Sequence, residues 1–163
     1  MQKTTTQLPE IHLVGLKIRT SNKDESNFEK GKMFPCIQKY FHEGIFETIP
    51  HRKHPGTTFC VYTDYESDHN GEYTYLIGEE VSSFEQLPEG LEKHTIKPQT
   101  YTKFTNGPAP MPRVVKEPWH KIWEMTDEEL GGERRYHADF EIYDERAKDH
   151  QNVVLDIYIG IKE

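Results

Sequence analysis

The chain lacks most of the features that would assign it to a familiar class at once. Cysteine is scarce: Cys36 and Cys60 are the only two in 163 residues. Two cysteines are too few for a disulfide framework, and they read as the free, reduced thiols of a cytoplasmic protein. No apolar run approaches the roughly 20 residues that cross a bilayer. Met1 to Glu10 is polar and holds no apolar core of a signal peptide. A basic stripe is missing too: the formal net charge is −8, and the longest basic cluster is His51-Arg52-Lys53-His54. Beside a proline that cluster reads as a free, solvated loop, so no direct nucleic-acid contact is expected. The nine histidines do not fall at metal-ligand spacing with cysteine. Gly131-Gly132 follows no strand and belongs to no phosphate loop. No G-x-S-x-G occurs, and neither cysteine has a base nearby in sequence. The expected set of metals and cofactors is therefore empty.

Apolar residues make up only 34% of the chain, yet aromatic residues reach 12%. Disordered chains are poor in aromatic residues, so a folded protein with a very polar surface and an aromatic interior is expected. The length suits one unit, or two halves that share a core.

The chain repeats itself, and a repeat is best sought first. Phe59-Cys60-Val61-Tyr62 is followed by Asp68-His69 and then Ile77-Gly78; Phe140-Glu141-Ile142-Tyr143 is followed by Asp149-His150 and then Ile159-Gly160. Both copies read as hairpins. Thr58 to Asp64 and Glu72 to Val81 alternate as strands do, around an Asn-Gly turn. Tyr136 to Asp144 and Val153 to Lys162 form the second pair, around a turn at Arg146 to Asn152. Upstream of each hairpin lies a helical pattern. Met33, Ile37, Tyr40 and Phe41 share one face in the first, and Val115, Trp119, Ile122 and Trp123 in the second. Pro35 and Pro118 occupy similar places, marking either a first turn or a kink. Ile11 to Thr20 and Glu92 to Thr105 precede the helices as strands. The linker Ser82 to Gly90 carries a capping-box pattern, Ser82-x-x-Glu85, which predicts a single helical turn. Thr126-Asp127-Glu128-Glu129 reads as another helix start.

Each half, about 11–81 and 91–162, is thus β-α-β-β. The fold class is α+β: a tandem, pseudo-twofold duplication with antiparallel sheets flanked by helices. One half alone buries too little apolar surface, so the halves pack together and their contact is the natural place for a ligand cleft.

Val61 to Asp68 followed by Gly71 to Val81 resembles the first hairpin of GyrI-like small-molecule-binding domains, the AraC-type effector-binding class. Asp139 to Tyr143 followed by Asp156 to Ile161 resembles the second, and the likeness runs from about Ile11 to Lys162. The resemblance implies a pseudo-twofold α+β fold with two curved sheets or one continuous one, flanked by helices. In multidrug-sensing transcription factors this module sits beside a helix-turn-helix and binds cationic, hydrophobic compounds. Here 163 residues already filled by the repeat leave no room for a helix-turn-helix. A stand-alone, cytoplasmic binding protein is expected, related to transcription regulators.

Glu141 is the first candidate site residue. By alternation it shares a strand face with Asp139 and Tyr143. From the residues alone a wet face is the commoner arrangement, since glutamates are seldom buried. The resemblance instead implies that this glutamate lines a pocket. A carboxylate desolvated among rings seeks a cation or a donor, and it can serve as a general acid or base. Cys60 occupies the equivalent place in the first half, so an acidic function would be one-sided. Trp119 and Trp123 stack on one helical face, as core packing or as a wall for a flat or cationic ligand. Tyr40 holds the similar place in the first helix. Tyr75 and Tyr143 each offer a ring and a hydroxyl.

The first reading is a binder of hydrophobic, cationic small molecules. The resemblance leaves open a hydrolase that opens strained cyclopropane rings with Glu141 as its catalytic group. A third reading is an acidic protein that binds and inhibits a DNA-binding enzyme, although the charge is mild and spread along the chain.

Overall fold

A computed structural model describes all residues, Met1–Glu163. In chain order the elements are β1 (Gln2–Leu8), β2 (Ile11–Ser21), α1 (Asn22–Glu25), α2 (Met33–His42), α3 (Ile45–Thr48), β3 (Thr58–Thr63), β4 (Glu72–Glu80), β5 (Glu92–Ile96), β6 (Gln99–Ala109), α4 (Arg113–Glu124), α5 (Asp127–Leu130), β7 (Ala138–Tyr143) and β8 (Val153–Ile161). A single 3-10 turn, Glu145–Ala147, follows β7.

The eight strands form one antiparallel sheet in the order β1-β6-β8-β7-β3-β4-β2-β5. Exchanging β1, β2, β3 and β4 with β5, β6, β7 and β8 reverses this order onto itself, as a twofold between β3 and β7 requires. The α+β duplication read from the sequence is therefore the fold. The edge strands obey the same symmetry by crossing over. β1 leads into β2 but pairs with β6, while β5 leads into β6 but pairs with β2.

That crossing curls the sheet. Leu8 lies opposite Gln99 near one edge, and Ile11 lies opposite Ile96 near the other. Only Pro9 and Glu10 join Leu8 to Ile11, a reach of at most about 11 Å. The two edges must approach each other, and the sheet wraps around an apolar core. Phe59, Val61, Leu76, Phe140, Tyr101 and Tyr158 fill it. Phe140 stands at its centre, with Tyr158 at 4.8 Å, Tyr101 at 5.2 Å and Phe59 at 5.5 Å between ring centroids.

The other face of the sheet carries the helices. α2 covers the first half together with Val14, Tyr73, Tyr75 and Ile77. α4 covers the second half together with Phe104, Leu155, Ile157 and Ile159. Gly15 and Gly78, paired across β2 and β4, let these strands approach closely. A Cβ on Gly78 would lie 2.2 Å from the Val14 carbonyl oxygen. That contact explains why the first hairpin ends in Ile-Gly.

Several expectations need correction. Glu92 to Thr105 is not one strand: the chain breaks at Lys97-Pro98, and the two pieces pair with different neighbours. Residues 2–8, polar and Thr-rich, form an edge strand that hydropathy does not signal. No helical turn forms at Ser82; the Glu85 amide donates to the Ser83 hydroxyl instead. The basic loop is tied down, because Arg52 pairs with Glu79 at 3.7 Å and Lys53 with Glu80 at 3.5 Å. Pro35 lies in the first turn of α2, whereas Pro118 sits inside α4. The Thr126 capping box opens α5 as read. Both cysteines are free and buried. No helix is long and apolar enough to cross a membrane.

Candidate functional site

β3 and β7 pair antiparallel, with Cys60 opposite Glu141. Alternation sends Phe59, Val61, Phe140 and Ile142 into the core inside the curled sheet. Cys60, Tyr62, Glu141 and Tyr143 then face the helices. α2 and α4 stand on either side of these two strands and leave a cleft between them. Its volume is about 1240 Å³, at or above the upper end for small-molecule sites.

Glu141 lies in the floor, only 3% exposed. Three neutral donors hold its carboxylate. Trp119 Nε1 and Tyr62 Oη each donate to Oε2 at 2.7 Å, and Tyr143 Oη donates to Oε1 at 2.7 Å. No lysine, arginine or histidine forms an ion pair with it. Burial raises its pKa above the ordinary carboxylate value, against the opposing pull of the bonds from Tyr143, Tyr62 and Trp119. Burial, seconded by the Glu141 charge, pushes the Tyr62 and Tyr143 hydroxyls well above the usual phenol range. They therefore stay protonated and remain donors.

Aromatic rings surround the carboxylate. Tyr62 meets Trp119 edge to face at 5.1 Å and Tyr75 at 5.4 Å. Trp123 continues the α4 wall, 6.3 Å from Trp119. The facing α2 wall is aliphatic and aromatic, with Met33, Phe34, Ile37 and Phe41. Phe34 and Phe41 are largely exposed at its rim.

Of the residues read from the sequence, Glu141, Tyr143, Trp119, Trp123 and Tyr75 all line this cleft. Tyr40 does not. It is fully buried behind the floor, and its hydroxyl has no hydrogen-bond partner. The phase of α2 turns Tyr40 into the sheet and sends Ile37 and Phe41 to the cleft. Sequence reasoning missed Tyr62 and Tyr73 as lining residues, although the repeat had already matched Tyr62 to Tyr143. It also missed Arg134, which reaches the cleft from the loop before β7. No three histidine, cysteine or acidic side chains come together in a way that could hold a metal.

Comparisons with known proteins agree with this architecture. Residues 4–161 match the family model Cass2, described as integron-associated effector-binding protein. The Bacillus subtilis (strain 168) protein YobU, which carries a transcriptional-regulator name, is 28% identical over 159 residues, covering 97% of this chain and 96% of that one. The integron cassette protein VCH_CASS2 of Vibrio cholerae superposes with a TM-score of 0.77 at 24% identity, over 98% of this chain and 95% of that one. SAV2435, solved bound to tetraphenylphosphonium, superposes with a TM-score of 0.78 at 15% identity, over 99% and 94%. With the matching family model spanning nearly the whole chain and the GyrI-like fold shared with these structures, the protein belongs to the Cass2 family of integron-associated effector-binding proteins.

Proposed function

We propose that the protein binds lipophilic organic cations in this cleft, as a sensing or sequestering module. Glu141 carries the reading. It is a buried carboxylate with three neutral donors and no cationic partner, set among rings whose faces are electron-rich. A desolvated carboxylate without a counter-ion is costly, and an organic cation supplies the missing charge while its apolar body covers the aromatic walls. The chain's net charge of −8 favours the approach of cations. A cleft of about 1240 Å³ exceeds what one drug-sized scaffold needs, which suits compounds of several shapes. SAV2435 holds such a cation on the same fold.

Thermal unfolding with tetraphenylphosphonium and with triphenylmethane, a neutral relative without a hydrogen-bond acceptor, tests the proposal. At a concentration 100 times Kd the cation should stabilise the protein by about 2.7 kcal/mol, and the neutral compound far less. Equal stabilisation by the two, or none by either, would overturn the reading.

A further inference from the structure

Arg134 gives the cleft a second polar anchor of opposite sign. Its side chain is only 8% exposed and pairs with Asp139 at 2.8 Å. The guanidinium lies 4.4 Å from the Tyr136 ring centroid and 5.9 Å from that of Trp119. Trp119 is the residue whose indole N–H holds Glu141, so one tryptophan touches both groups. Asp139 and Glu141 lie two apart on the same face of β7, roughly 6.6 Å along the strand. A ligand seated on Glu141 therefore passes within reach of Arg134.

The bonding of Arg134 is incomplete. Its Nη2 serves Asp139 and the Tyr65 hydroxyl. Its Nε is enclosed with no partner, and its Nη1 makes no hydrogen bond yet keeps accessible surface, so Nη1 is the donor a ligand can reach. Asp139 needs no more from it, because the Gly160 amide and the Tyr65 hydroxyl also donate to that carboxylate. The donors of a buried side chain are normally satisfied, and this free Nη1 belongs to a residue that lines the ligand cleft.

We infer that the cleft selects aromatic cations carrying a neutral hydrogen-bond acceptor, a carbonyl or an ether oxygen, on one flank, and that Arg134 reads this acceptor. The inference rests on the proposed cation-binding role of the cleft. A neutral acceptor fits better than an anionic one, because Asp139 already balances the guanidinium charge and Glu141 stands close by.

The test compares (4-acetylphenyl)triphenylphosphonium with (4-isopropylphenyl)triphenylphosphonium by titration calorimetry. The two match in charge and nearly in size, and only the first carries an acceptor. The wild-type protein should bind the acetyl compound about tenfold more tightly. In Arg134→Lys an ammonium still faces Asp139 but the planar fork is lost, and the ratio of the two affinities should fall toward one. Equal binding by the wild type, or a preference that survives the substitution, overturns the inference. If Arg134→Lys does not fold, the 13C resonance of a labelled acetyl carbonyl on the wild type decides: a downfield shift on binding supports the inference, and no shift refutes it. Failure of every phosphonium compound, tetraphenylphosphonium included, would remove the cation reading itself. Equal binding of all of them would remove only the role of Arg134.

Discussion

Cys60 and Glu141 are direct partners in the β3–β7 ladder, and they are also counterparts in the two halves of the chain. The offset of 81 residues that relates Phe59 to Phe140 relates Cys60 to Glu141 as well. A residue can be both ladder partner and repeat counterpart only beside the twofold axis. The axis therefore passes through the cleft floor, and the carboxylate stands where the two halves meet. Replacing its counterpart with a thiol leaves one buried acid where strict symmetry would set two side by side, which like-charge repulsion opposes.

Glu141→Gln should separate binding from stability. A glutamine oxygen can still accept from Trp119 and Tyr62, and its amide can donate to the Tyr143 hydroxyl. Cation affinity should fall by ~1–3 kcal/mol, while the empty protein is at least as stable as wild type because a buried charge is gone. Calorimetric titration and urea unfolding check the two halves of this expectation. Unchanged affinity would make Glu141 an ordinary structural residue.

The pH dependence follows from the direction of its shift. The Glu141 pKa is raised in the folded protein from an ordinary value of 4.5. Between that value and the raised one, the native state binds more protons than the unfolded state, so stability falls as pH rises. The benefit is complete below about pH 4.5 and lost above the raised pKa. Glu79 is raised by burial in the same direction, so the informative quantity is the difference between wild type and Glu141→Gln. That difference should move against the wild type as pH rises through this window. Cation affinity of the wild type should rise over the same window, as the carboxylate ionises. A pH-independent difference would contradict the buried, unpaired state of Glu141.

Much of this was legible in the sequence because it is local. The two hairpins, their Ile-Gly endings and the face shared by Glu141 and Tyr143 follow from period-two alternation. What escaped depends on non-local pairing. β1 carries no apolar alternation and is recruited by β6, about a hundred residues away in the chain. Tyr62 and Trp119 reach the carboxylate only through the register of β3 on β7 and the placement of α4. Tyr40 was misplaced because helical spacing defines a face without saying whether sheet or cleft lies opposite it. Arg134 sits in an irregular loop with no periodicity to betray it.

Phe140→Ala tests the core beneath the site. Phe140 is fully buried against Phe59, Tyr101 and Tyr158, and its neighbours are held by the strands of both halves. Losing the ring should cost ~3–5 kcal/mol in urea-induced unfolding. A loss below about 1 kcal/mol would mean that the curled sheet is not packed around this residue.

Cys60 offers a readout of ligand position through the cover of its thiol. Its thiol lies in the cleft floor, opposite the carboxylate. Burial, followed by the nearby Glu141 charge, pushes its pKa well above the ordinary thiol value. Only the thiolate attacks disulfide reagents, and each unit of upward shift removes about nine-tenths of it. In a Cys36→Ser background, leaving Cys60 as the single cysteine, methyl methanethiosulfonate should label the native protein at least about tenfold more slowly than the urea-unfolded chain. Saturating tetraphenylphosphonium should slow native labelling further, because its bulk seals the thiol beside Glu141, an effect that outweighs the gain in thiolate from its positive charge. Mass spectrometry at timed intervals measures both rates. If the cation binds by calorimetry yet leaves the native labelling rate untouched, the ligand sits elsewhere than over the Cys60–Glu141 pair.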